Sequence, residues 1–169
     1  RFPEGKYALE ALYYKSEIYF NQKDWAKAAP GYELLGDRAP NKFAEKALVL
    51  AARLNFFDLK NYEKAEKYFT SLKSHASTQE NKLEAMRGLL RSQYQLQKWT
   101  EAVANAKDLL NEKGTGTDDK ILANMAIAKS FQTSNDCTQA ITYYRQVASL
   151  SKSAYGAESR YAIAECYFG

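Results

Sequence analysis

The chain has 169 residues, a net charge of +4, 14% aromatic residues and 13 tyrosines. A charge that mild falls short of the dense basic patches that mark nucleic-acid binding, and no apolar run reaches the length needed to span a bilayer. Two unpatterned cysteines make no disulfide framework, and a single histidine with no carboxylate or cysteine cluster makes a poor metal site.

Residues 1–8, Arg1-Phe2-Pro3-Glu4-Gly5-Lys6-Tyr7-Ala8, read as an inter-repeat linker. A helical pattern follows, with Leu9, Leu12, Ser16, Tyr19 and Phe20 recurring at three- and four-residue steps. A polar turn, Gln22-Lys23-Asp24, leads into a second helix carrying Ala28, Tyr32 and Leu35. Pro30 falls inside that helix and removes a backbone donor, so a local bend is expected there.

The arrangement then repeats. Phe20, Phe57, Tyr94, Phe131 and Phe168 lie 37 residues apart, and the small residues Ala28, Ala65, Ala102 and Ala140 are spaced by 37, 37 and 38. The second-helix sets are Ala65, Phe69, Leu72, then Ala102, Ala106, Leu109, then Ala140, Tyr144, Val147. Asp24, Asn61 and Asp136 are N-cap residue types, able to accept from the free N–H groups that open a helix. An aromatic follows the turn in three of four cases, three residues before the alanine. The fourth turn reads one residue longer. Measured back from Ala140, Phe131 takes the slot of Tyr19; measured along the first helices, it takes that of Phe20. The first alignment is preferred, because it puts small Ala128 where Ser16 sits. Fixed-period self-similarity means that each helix–turn–helix is one unit stacked on the next.

These turns and alanines resemble the tetratricopeptide repeat family. The resemblance covers nearly the whole chain: repeats over about 5–40, 41–78, 79–115 and 116–153, and the first helix of a fifth over 154–169. It implies an all-α fold, a right-handed α-solenoid of helix–turn–helix units forming a single array, here expected to be a piece of a longer protein. The period, longer than the common form, and the pairs Tyr19-Phe20, Phe56-Phe57 and Tyr167-Phe168 resemble a bacterial envelope subgroup. That subgroup includes the barrel-assembly lipoprotein and the Tol–Pal coordinator; the long repeat proteins of Bacteroidetes are similar too. The resemblance therefore implies a periplasmic or outer-membrane-associated location, with the cytoplasm as the alternative.

The sequence carries little reactive chemistry. His75 lies near a helix end, where it would face the C-terminal dipole. No Ser, His and acid grouping suggests a nucleophile. Asp118-Asp119 is expected to cap the next helix, and Gly114-Thr115-Gly116-Thr117 lacks the lysine of a phosphate loop, so it reads as a linker. Cys137 and Cys166 read first as small buried hydrophobes; a bond between them would require the fifth helix to fold beside the fourth turn. No enzyme activity, cofactor or metal is expected.

The resemblance implies that first helices line a concave face. Counting back from each repeat alanine, the groove slots hold Tyr13, Glu17 and Phe20, then Leu50, Leu54 and Phe57, then Arg87, Arg91 and Tyr94, then Met125, Lys129 and Gln132. The peptide-binding candidates are Tyr13, Glu17, Phe20, Leu54, Phe57, Arg87, Arg91, Tyr94 and Lys129. Arg87 and Arg91 are four apart and point the same way, suited to bidentate capture of carboxylates. The competing readings are that the aromatics pack between neighbouring first helices and that the arginines pair with Glu84. The expected function is a non-catalytic scaffold binding a peptide or protein segment, acidic or C-terminal, on its concave face. The alternative is a self-assembling spacer in an envelope complex, a homo-oligomer through the open last repeat. Nucleic acid is not an expected partner.

Overall fold

Four turns of one design organise the chain in a computed structural model that describes residue 5 and residues 7–169. The linker reading of residues 1–8 therefore falls largely outside the described residues. Among those residues the elements are all helical: α1 (Ala8–Asn21), α2 (Trp25–Asp37), α3 (Ala44–Arg53), a π-helical turn (Leu54–Asp58), α4 (Tyr62–His75), α5 (Gln79–Gln95), α6 (Trp99–Asn111), α7 (Thr117–Thr133), α8 (Cys137–Leu150) and α9 (Ala154–Phe168). The expected helical-repeat fold is what the structure shows. The chain divides into two compact units, residues 1–92 and 93–169.

In each turn the residue before the cap is left-handed: Lys23 (φ 58°), Lys60 (φ 52°), Gln97 (φ 56°) and Asn135 (φ 60°). That single reversal lets the chain double back in a minimal loop. The next residue caps the second helix. Asp24, Asn61 and Asp136 accept from the N–H groups of Lys27, Lys64 and Gln139 at 3.3, 3.1 and 3.1 Å. Lys98 occupies the third cap and provides no such bond. Four residues after each cap stands the repeat alanine, and Ala28, Ala65, Ala102 and Ala140 are all fully buried. One and two helical turns further on, Tyr32, Phe69, Ala106 and Tyr144, and then Leu35, Leu72, Leu109 and Val147, continue the same buried stripe. At about 25 cal/mol per Å² of apolar surface, these stripes supply the main stabilisation of each hairpin.

In the unit of residues 1–92, α1 packs on α2, α2 on α3 and α3 on α4, around Tyr13, Tyr32, Leu35, Leu48 and Leu72. Close approach depends on small residues: a Cβ on Gly31 would collide with Ser16, and one on Gly88 with the Phe69 ring. The helix α2 runs through Pro30, which is exposed. In the unit of residues 93–169, α6 packs on α7, α7 on α8 and α8 on α9, around Ile121, Met125, Tyr144 and Val147. Gly116 at the start of α7 donates its N–H to Asp119 at 2.9 Å, the capping expected of that acidic pair.

Two expectations are corrected. The fourth turn is as long as the first: the Asp136 N–H donates to the Phe131 carbonyl as the Asp24 N–H donates to that of Tyr19, both across five residues. Phe131 thus takes the Tyr19 slot, and the extra residue of that repeat lies upstream of the turn. Second, Cys137 and Cys166 are not buried hydrophobes. They form a disulfide joining the start of α8 to α9, with Cα atoms 5.3 Å apart. Cys137 stands where the other turns place Trp25, Tyr62 and Trp99.

Candidate functional site

The second turn departs from the others by one residue. The Asn61 N–H reaches back six residues, to the carbonyl of Asn55, where Asp24, Lys98 and Asp136 reach back five. The surplus residue is absorbed in the π-helical turn Leu54–Asp58, a geometry that widens one turn to hold one more residue. Asn55 stabilises it from within: buried, it donates to the Ala51 carbonyl at 2.9 Å and to Glu33 Oε1 at 2.8 Å. Lys64 completes the network on Glu33 Oε2 at 2.9 Å.

This insertion changes which side chains meet the groove. Phe20 packs edge-on to Trp25 with ring centroids 5.4 Å apart, and Tyr94 packs edge-on to Trp99 at 5.3 Å. The equivalent contact in the second hairpin is made by Phe56 with Tyr62, also at 5.3 Å. Phe57, counted in the sequence as the equivalent of Phe20, is displaced outward and stands 53% exposed, edge-on to Phe56 at 4.9 Å. The same one-residue slip corrects Leu54. It is 2% exposed, within the core rather than on the groove, and Arg53 takes the slot assigned to it, equivalent to Glu17 and Arg91.

The result is a cavity of about 320 Å³ within the unit of residues 1–92, walled by the π-turn on one side and α5 on the other. Phe56, Phe57, Phe69 and Gly88 are among its lining residues. Arg53, Arg87 and Arg91 bring three guanidinium groups to it, against the two carboxylates of Glu80 and Glu84. Glu84 pairs with Arg53 through both oxygens, to Nε and, at 2.6 Å, to Nη2. That bond to Glu84 holds Arg53 above the ordinary guanidinium value, against the opposing effect of partial burial. Sequence reading offered Arg87 and Arg91 as the partners of Glu84; the structure shows Arg53 bonded to both of its oxygens. Arg91 is exposed and Arg87 half-buried.

The remaining candidates are dispersed. Tyr13 is buried and stacks on Phe43 at 4.6 Å, with the Lys46 ammonium 5.1 Å from its ring. Glu17, half-buried, accepts the Tyr32 hydroxyl at 2.7 Å. Burial first, and this bond second, push the Tyr32 phenol well above its usual range. Phe20 is half-buried against Trp25. In the unit of residues 93–169, Tyr94 is half-buried and its phenol raised by burial. Lys129 donates to Gln132 Oε1 at 3.3 Å, which also accepts the Tyr144 hydroxyl at 2.7 Å. His75 is exposed, its Nδ1 2.8 Å from the Ser71 carbonyl at the end of α4. No metal-holding cluster and no helix long and apolar enough to cross a membrane occur among the described residues.

Residues 10–42 match the family model described as Tetratricopeptide repeat. They cover the first hairpin, and the match supports that family for this chain. Repeats of this kind generally mediate protein–protein interactions and are generally non-catalytic. No curated protein matches the chain. Arg53 is the site residue that sequence reading missed. The signal was present in the run Arg53-Leu54-Asn55-Phe56-Phe57-Asp58, one residue too long for the distance between Ala52, in the buried slot of Ser16, and the Asn61 cap.

Proposed function

We propose that the chain is a non-catalytic scaffold that binds a peptide or protein segment in the groove between the π-turn and α5. The observation that carries this reading is the convergence of Arg53, Arg87 and Arg91 beside the rings of Phe56 and Phe57. Guanidinium forks capture carboxylates bidentately, and apolar walls supply affinity that charge alone does not. A cavity at the lower end of the roughly 300–1,000 Å³ typical of ligand sites accepts one or two side chains of an extended segment. Acidic segments, or a chain's terminal carboxylate, suit its charge. Affinity capture from a cell extract, repeated with Arg87→Glu plus Arg91→Glu, tests the assignment. The double variant is expected to lose capture at least about tenfold while its circular dichroism is unchanged, a charge reversal at a groove being worth more than a rim contact. Undiminished capture moves the site elsewhere.

The bacterial-envelope reading is proposed with it: periplasmic or outer-membrane-associated. The Cys137–Cys166 disulfide supports this location, because such bonds persist in oxidising compartments. The second reading, a self-assembling spacer, is favoured by the exposed aromatics of α9, Tyr155, Tyr161, Tyr167 and Phe168. Light scattering across a concentration series separates the two, since a mass that stays monomeric rules out assembly of this chain.

A further inference from the structure

The second hairpin carries one residue that its fold does not need. With Phe57 taken out of the count, Asn61 lies at the same distance from Arg53, Asn55 and Phe56 as Lys98 does from Arg91, Gln93 and Tyr94. Among the described residues the inserted ring makes its aromatic contact with Phe56 alone, and it is more than half exposed. Yet the turn that extrudes it is built with buried, dedicated bonds from Asn55 to Ala51 and Glu33. π-helical turns are rare and frequently lie at functional sites, and the exposed phenylalanine lines a cavity that three arginines also line, where its ring offers a large apolar contact.

We infer that Phe57 is the specificity-determining residue of this groove. It takes one large apolar side chain of an internal acidic segment of a protein partner, whose carboxylates lie on Arg91 and Arg87. The inference rests on the groove reading given above. Charge selects the occupant: three guanidiniums face two carboxylates, and Glu84 is already engaged with Arg53. A basic segment would meet net like charge. The cavity volume of about 320 Å³ admits side chains, not a folded surface.

The test uses short acetylated and amidated peptides, Glu-Glu-X-Glu-Glu, with X as Phe, Leu or Ser, titrated by fluorescence anisotropy against the chain. Without a free terminus, these probes separate internal from C-terminal recognition. The Phe and Leu peptides are expected to bind the native chain about tenfold more tightly than the Ser peptide, the value of one partly buried apolar side chain. Phe57→Ser should collapse this preference to within about twofold, and Arg87→Glu plus Arg91→Glu should weaken all three. Phe57 is exposed, so its replacement by Ser leaves folding intact; deletion of Phe57, checked by circular dichroism, must give the same loss of preference. Equal, Arg-dependent binding of all three peptides by the native chain overturns the role of Phe57 and leaves the acid-binding groove standing. A preference that survives Phe57→Ser does the same. Absence of any Arg-dependent binding overturns both readings.

Discussion

The first and second turns share every anchor and differ by one residue. Each has a left-handed lysine, Lys23 or Lys60, a side-chain cap, Asp24 or Asn61, and an edge-on aromatic pair, Phe20 with Trp25 or Phe56 with Tyr62. Between these anchors the first helix is regular, whereas the second widens into a π-turn and exposes Phe57. The anchors therefore fix the hairpin, and the helix between them absorbs an insertion without shifting its neighbours. The inserted residue packs only in part, edge-on to Phe56, and stays more than half exposed.

The largest test of this contrast is a single-residue deletion in each hairpin. Deletion of Phe57 removes the surplus and should change the unfolding free energy by less than about 1 kcal/mol, since no buried residue changes slot. Deletion of Ile18 has no surplus to consume. It rotates the preceding helix by roughly 100° against the turn and brings Lys15 into the buried place of Ser16, where the close contact with Gly31 leaves no room for a longer side chain. A cost of about 3 kcal/mol or more is expected, from burying a long cation and overfilling the contact. Urea unfolding of both variants measures the difference, and equal costs would mean that the π-turn is no reservoir.

The fourth turn sharpens the comparison another way. Where the others lock the turn with an aromatic pair, it has Cys137, bonded to Cys166 of α9, while Phe131 stacks on Tyr143 at 5.7 Å. A cross-link closing a loop of this kind constrains the unfolded chain by about 3 kcal/mol. Cys166→Ser should lower the thermal midpoint accordingly, with hydrogen exchange on α9 accelerating first. If α9 stays protected, its contacts with α8 hold it without the bond.

Most of this fold was legible in the sequence because the anchors are chemical. Aspartate or asparagine caps, buried alanines and the 37-residue spacing are properties of residue types, and each appears where counting placed it. The groove was less legible. Counting back from Ala65 assumes a uniform helix, and the π-turn breaks that assumption at Leu54, so Arg53 was passed over and Leu54 put in its place. Arg87 and Arg91 both line the cavity, and α5 carries no insertion to shift them. The disulfide was legible only as a conditional, since two cysteines 29 residues apart become partners only if α9 folds back on the fourth turn.

A smaller effect concerns the reversal point itself. Lys23, Lys60 and Gln97 hold a left-handed backbone that costs a side-chain-bearing residue about 1 kcal/mol, whereas Asn135 tolerates it better. Lys60→Gly should therefore stabilise by about 1 kcal/mol, offset in part by unfolded-state entropy, and Asn135→Gly by less. An equal gain at both positions would show that the side chain at the reversal does not matter.

The smallest effect distinguishes the loops between hairpins. The loop after α2 is held by neutral groups: Asn41 donates to the Leu35 carbonyl at 3.0 Å and accepts from the Phe43 N–H at 2.9 Å. The loop after α4 is held by a carboxylate, Glu45, which accepts from Asn81 Nδ2 at 2.7 Å and the Ser77 N–H at 2.9 Å. These bonds, that from Asn81 first, depress the Glu45 pKa below the ordinary 4.5. A depressed carboxylate stabilises the fold above its unfolded pKa and loses that contribution as pH falls through the folded value. Glu45→Gln should thus cost less than about 1 kcal/mol at neutral pH, the group being only half-buried and screened by solvent, and nothing below its folded pKa. The gap in thermal midpoint between native chain and variant should close between neutral pH and pH values below 4.5, while the cost of Asn41→Ala stays constant across the same range. A Glu45→Gln gap that does not change with pH would mean that the loop is held by the shape of the side chain and not by its charge.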